Sequence, residues 1–95
     1  MKPKVMGIYF KAKIPNVRVT DCRRDYDGSI TIDANLLIKY GIQHYEQVHV
    51  LGVSGNQRAI TYAIPGDKGV ICCNGGLANL FMVGDIVNIV TYEIK

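Results

Sequence analysis

The sequence predicts a mainly β fold, a small closed β-barrel with one or two short helices, formed by residues 1–95 as one domain. Three observations predict it. Short runs of alternating or β-branched apolar residues recur along the chain, ten glycines punctuate it, and helical spacing is confined to two brief stretches. The length of 95 residues is near the lower end of what builds a core without staples. A hydrophobic content of 48% with 20% charge is that of a globular chain and excludes a disordered one. No apolar run approaches the ~18 residues of a membrane span, and Met1-Lys2-Pro3-Lys4 leads into no signal-peptide pattern, so a cytoplasmic protein is expected.

The first strand is expected over Gly7 to Ile14, with Ile8, Phe10, Ala12 and Ile14 on one face and Tyr9, Lys11 and Lys13 on the other. Pro15-Asn16 should break it, and Val17 to Thr20 should resume as a short strand closed by Asp21-Cys22. Arg23-Arg24-Asp25 then reads as a solvated loop. Asp27-Gly28 is turn chemistry, and Ile30-Thr31-Ile32 a β-branched strand. Asp33 suits the N-cap of a short helix through Leu36, Leu37 and Tyr40, with Gly41 placed to end it. Gln47 to Val53 and Gln57 to Ile64 form a hairpin around the Ser54-Gly55-Asn56 turn. After a loop from Pro65 to Gly69 come a strand from Val70 to Cys73 and the turn Asn74-Gly75-Gly76. Leu77 to Met82 is expected to make one helical turn, and Ile86 to Tyr92 the last strand.

Three cysteines, two of them neighbours at Cys72 and Cys73, disfavour a regular disulfide framework and fit a reducing compartment. No paired C-x-x-C occurs and His44 and His49 are five apart, so no metal is expected. A net charge of +3 fits either nucleic acid or an anionic small molecule. Ser29 is one of only two serines, and it follows Gly28 directly. A hydroxyl there can reach the preceding carbonyl, and glycine tolerates the strained backbone such an attack needs. Arg58, Ile60, Tyr62 and Ile64 share a strand face, with Thr61 on the other. Arg58 and Tyr62 read either as a surface pair or as a carboxylate-binding guanidinium beside a proton-donating phenol. Asn74-Gly75-Gly76 reads either as a plain turn or as backbone that an anion approaches closely.

Together these pieces resemble the pyruvoyl-dependent aspartate 1-decarboxylases over nearly the full length. The resemblance is carried by Lys13, Val17 to Thr20, Tyr26-Asp27-Gly28-Ser29, Ile32-Asp33, Gly41-Ile42, Arg58, Thr61 to Ile64, Asn74-Gly75 and Val83-Gly84-Asp85 in that order and spacing. It implies a double-psi β-barrel, and a homotetramer with active sites between subunits. It also implies a proenzyme that cuts itself between Gly28 and Ser29 into a β chain 1–28 and an α chain 29–95. Ser29 would become a covalent pyruvoyl group that forms a Schiff base with L-aspartate and accepts electrons as CO2 leaves, yielding β-alanine for pantothenate and coenzyme A synthesis. By the same resemblance Tyr62 delivers the proton, and Tyr26, Gly28 and Thr61 belong to the processing site. Lys13 and Arg58 attend the substrate carboxylates, and Thr61, Asn74, Gly75, Gly76 and Leu77 contact substrate.

The sequence departs from the family pattern at several places. Pro15 stands where many members have histidine, Ile30 where a small residue follows the serine, and Leu77 where alanine is usual. Leu77 is expected to crowd the substrate, and Ile30 makes an accessory maturation factor a candidate partner. Two competing readings are a non-processing barrel of the same family that serves as a binding or scaffold module, and a basic DNA-binding β-barrel. The scattered basic residues weigh against nucleic acid as a partner.

Overall fold

Alternating apolar residues build one seven-stranded mixed sheet in the computed structural model, which describes residues 5–95. The expected absence of a signal segment at Met1 to Lys4 falls outside the described residues. In chain order the strands are β1 (Ile8–Arg18), β2 (Asp21–Arg23), β3 (Ser29–Asp33), β4 (Gln47–Gly52), β5 (Arg58–Gly66), β6 (Ile71–Asn74) and β7 (Ile86–Ile94). They are hydrogen-bonded in the order β1-β7-β4-β5-β3-β6-β2. Most pairs are antiparallel, whereas β3 pairs with β5, and β2 with β6, in parallel.

The expected closed barrel, double-psi or otherwise, is not what forms. β1 and β2 end the ladder and do not pair with each other among the described residues, so the sheet stays open. The physical reason lies in those two strands. β2 has only three residues and is used up by β6, while β1 spends its length on β7 in a ribbon that helps stretch the molecule to 52 × 27 × 23 Å. Pro15-Asn16 does not break the first strand either. It is absorbed as an irregularity between Ile14 and Val17, with Asn16 at φ 51 and its N–H donating to Asn88 Oδ1 at 2.9 Å. The apolar face expected on this strand is bare except at its end: Ile14 is buried, whereas Ile8 and Phe10 are exposed.

One α-helix is present, α1 (Ala34–Tyr40), capped as its sequence predicts. Asp33 Oδ1 accepts from the Asn35 N–H at 2.8 Å, and Gly41 takes the left-handed conformation that ends the helix. The second expected helix reduces to a 3₁₀ turn, Gly75–Asn79. The core gathers Ile30, Ile32, Val48, Val50, Val87 and Ile89 from β3, β4 and β7, with Phe81 and Leu77 closing one side. No helix among the described residues is long and apolar enough to cross a membrane.

Candidate active site

The β3–β6 register sets Ser29 opposite Asn74 and Thr31 opposite Cys72. Side chains alternate along strands, so Ile30, Ile32, Ile71 and Cys73 take the core face. Ser29, Thr31, Cys72 and Asn74 take the other. There the Asn74 amide becomes the hub. Its Nδ2 donates to Ser29 Oγ at 3.0 Å and to Thr31 Oγ1 at 2.9 Å, and its Oδ1 accepts from the Cys72 thiol at 3.2 Å. Burial pushes the Cys72 thiol up, with Asp21 adding to the effect, so the sulfur keeps the proton it donates. Burial likewise pushes Cys73 behind it up to about 12.

The Ser29 hydroxyl in turn donates a hydrogen bond to the Asp27 carbonyl at 2.9 Å. Ser29 and Asn74 are 0% and 1% exposed, so this network is a dry, satisfied polar pair rather than a surface turn. Backbone packing holds the bond in front of Ser29. Gly75 sits at φ 64, and a Cβ on it would lie 2.7 Å from the Tyr26 carbonyl oxygen and 2.8 Å from Gly28 N and Cα. Only glycine permits that approach. Gly28 itself is not left-handed, and a Cβ there would meet nothing within 4 Å. The special glycine conformation expected at Gly28 therefore belongs to its neighbour across the strands.

A cleft of about 270 Å³ opens over Ser29, lined by Tyr26, Asp27, His44, Tyr45, Tyr62, Ile64 and Pro65. Tyr62 reaches it from β5, whose Ala63 pairs with Ile30 one residue beyond Ser29. Tyr26 enters from the loop before β3, with the Arg23 guanidinium 4.8 Å from its ring centroid. The structure thus gathers Ser29, Gly28, Tyr26, Tyr62, Asn74 and Gly75 around one point.

The other residues named from the sequence lie elsewhere in the chain. Lys13 is on β1, with β7, β4 and β5 between it and β3. Arg58 is exposed at the start of β5, five residues from Ala63, or about 16 Å along a strand at ~3.3 Å per residue. Thr61 alternates to the opposite face from Tyr62 and does not line the cleft. Gly76 is exposed in the 3₁₀ turn, and the Leu77 side chain is buried in the core, so it does not crowd the cleft as expected.

Four contributors were missed from the sequence. Cys72 and Thr31 orient Asn74, a role visible only once the strand register is known. His44 and Tyr45 wall the cleft with stacked rings, centroids 3.9 Å apart, and Tyr45 stands 5.4 Å from the Tyr62 centroid. No three His, Cys, Asp or Glu side chains gather as metal ligands among the described residues.

The family profile described as aspartate decarboxylase matches residues 5–95. An aspartate 1-decarboxylase of Microcystis aeruginosa is 48% identical over 82 residues, covering 86% of this chain and 59% of that protein. One from Campylobacter hominis is 43% identical over 86% of this chain and 72% of its own length. One from Thermoanaerobacter pseudethanolicus is 46% identical over 88% and 74% respectively. The chain therefore spans little more than half the length of the Microcystis relative. With that coverage and identity, and with Gly28-Ser29 packed against Asn74-Gly75, the chain belongs to the aspartate decarboxylase family.

Proposed function

We propose that this chain is the precursor of a pyruvoyl-dependent decarboxylase that converts L-aspartate to β-alanine and CO2 for pantothenate and coenzyme A synthesis. The observation that carries the reading is the Ser29 hydroxyl, buried and held between the Asn74 amide and the Asp27 carbonyl next to the Gly28–Ser29 bond.

In the maturation step Ser29 Oγ adds to the Gly28 carbonyl carbon and the Gly28–Ser29 C–N bond breaks, leaving an ester and a free Ser29 amine. Loss of the Ser29 α-proton expels the Gly28 carboxylate and leaves dehydroalanine at position 29. Water then replaces its nitrogen, which departs as ammonia. The products are a β chain 1–28 and an α chain 29–95 that begins with the pyruvoyl group. The surroundings fit such a group: Asn74 aims two amide donors at this face of β3, and Gly75 presents no Cβ.

The pyruvoyl group would supply an electron sink for the charge left when CO2 departs. Around it, the Tyr62 phenol reaches the cleft as the proton donor to the substrate carbon that loses CO2. Tyr26 and Pro65 border the space the substrate enters. The only formal charge among the cleft-lining residues besides the ionisable His44 is Asp27, which suits no aspartate carboxylate. This supports a homotetramer with active sites between subunits, in which Lys13 and Arg58 reach a site across an interface. On the same basis Thr61 and Gly76, which lie outside this cleft, and Leu77 through its backbone are assigned to the processing site and the substrate across such an interface. A cytoplasmic setting accords with three free cysteines. The test is production of β-alanine from L-aspartate, followed by amino-acid analysis. Fully cleaved protein should form it and Ser29→Ala should not; fully cleaved protein that forms none would overturn the assignment.

A further inference from the structure

Among the described residues Asn16 and Tyr45 are the two non-glycine residues at positive φ, and Tyr45 is the bulky one. Its φ is 68, a left-handed conformation that a bulky side chain rarely adopts. Five polar contacts hold it there. The Tyr45 N–H donates to the Ala63 carbonyl at 2.7 Å, and the Ala63 N–H donates to the Glu46 carbonyl at 3.0 Å. The Glu46 N–H closes back on the Gln43 carbonyl at 3.0 Å, and the Gln43 N–H donates to Glu46 Oε1 at 3.0 Å. Lys11 Nζ then clamps the Glu46 carboxylate at 3.0 Å. Conformations of this kind persist only where their surroundings over-determine them, and they concentrate at functional sites.

The strain has a visible product. It seats the segment against Ala63, the residue after Tyr62, and the Tyr45 ring then lies 5.4 Å from the Tyr62 ring at a tilt of 55°. His44 stacks on Tyr45 at 3.9 Å and 26°. The three rings line the same cleft as Ser29. Tyr45 is 65% exposed, so core burial does not account for holding an aromatic ring in this place.

We propose that Tyr45 is a positioning residue: its ring, fixed by the left-handed backbone and stacked on His44, sets the direction of the Tyr62 phenol over Ser29. Tyr45 touches no reacting atom in this account and acts through Tyr62. The inference rests on the decarboxylase reading for its effect on turnover, but ring placement can be read without any activity.

Tyr45→Asn removes the ring and puts in a residue that accepts the left-handed region. It should fold with an unchanged or higher melting temperature, yet lower kcat by about tenfold, part of the 10²–10⁴-fold that a well-placed acid contributes. KM should move little. Tyr45→Phe keeps the ring and should keep kcat within about twofold, since only the hydroxyl is lost. In the Asn variant the Tyr62 ring protons should also lose the NMR shift caused by the neighbouring ring, and they should keep it in the Phe variant. Tyr45→Gly, the freest residue at this φ, serves if the Asn variant does not fold. Wild-type kcat in both ringless variants, or a Phe variant as slow as the Asn one, would overturn the proposal. So would Tyr62 ring shifts that stay put when the Tyr45 ring is gone, whatever the activity. Wild-type protein that is cleaved yet inactive would instead count against the decarboxylase reading, with the ring shifts still deciding the role of Tyr45.

Discussion

The β3–β6 pair and the β1–β7 ribbon are made from the same kind of sequence, alternating and β-branched, yet they end in opposite states. In β3 every residue is buried or half-buried, and in β6 all four are buried. Within the network of Ser29, Thr31, Cys72 and Asn74, the Ser29 hydroxyl both donates and accepts without help from another chain. In β1 only Ile14 is buried among eleven residues, and Ile8, at 75% exposure, is typical of its free end. Lys13 projects from that bare ribbon. One chain thus completes the point where it would cut itself, but not the surroundings that would hold a dicarboxylate. Cutting and substrate capture should therefore separate when residues of the two regions are changed one at a time.

The largest effect is expected at Ser29, where cutting and turnover should fall together. Ser29→Ala should abolish cleavage and decarboxylation together while the fold persists. Its stability should fall by about 1–3 kcal/mol, because Asn74 Nδ2 loses a buried acceptor. Electrophoresis and a denaturant titration read both effects. Tyr62→Phe should cut normally and then turn over about 10²–10⁴-fold more slowly, through loss of the proton donor. Full activity in that variant would transfer the role to another group.

Lys13→Ala, in the ribbon, and Arg58→Ala, at the exposed start of β5, sharpen the comparison from the side of substrate capture. Each should mature at the wild-type rate and raise KM for aspartate by roughly tenfold or more, since a guanidinium or ammonium held to carboxylate forms a charge-assisted bond. Slowed cleavage in either variant would show that cutting and substrate capture are not separable.

The smallest effect is expected at Asp33, at the far end of β3 from Ser29 and outside the Ser29–Asn74 network. Its carboxyl is held below the ordinary value chiefly by the Gly69 N–H, then by that of Asn35. A depressed carboxyl contributes stability above its unfolded pKa of ~3.9 and loses it as pH falls through the folded value. Asp33→Asn should therefore be less stable than wild type at neutral pH, with the gap closing below pH ~4 as the wild-type carboxyl is protonated. Acid-unfolding curves would show this, and cleavage and KM should not change.

The sequence made some of this legible and concealed the rest for identifiable reasons. Asp33 and Gly41 announce the helix ends because capping is local chemistry. The hairpin around Ser54-Gly55-Asn56 is equally local. Ser29, Tyr62 and Asn74 were marked by residue type and order, and the fold does bring them together. What concealed the rest was register and closure. Nothing local says that Thr31 faces Cys72, that Asp21–Arg23 pairs with β6, or that β1 leaves its outer edge free among the described residues. The closed barrel rests on short strands, glycine-marked turns and sparse helix, and none of these decides whether the last two edges meet. Tyr45 was invisible for another reason: a tyrosine carries no signal for a left-handed backbone, so only the structure exposes it.

The central claim, that Ser29 is the precursor of the reacting group, is tested most directly by the intact mass of purified, warmed protein. The account predicts two fragments, 1–28 and 29–95, which together have gained a water and lost an ammonia. The longer one should resist N-terminal sequencing and take up a hydrazide at its first residue. A single uncut chain after prolonged warming, with no hydrazide uptake and no CO2 from aspartate, would contradict it.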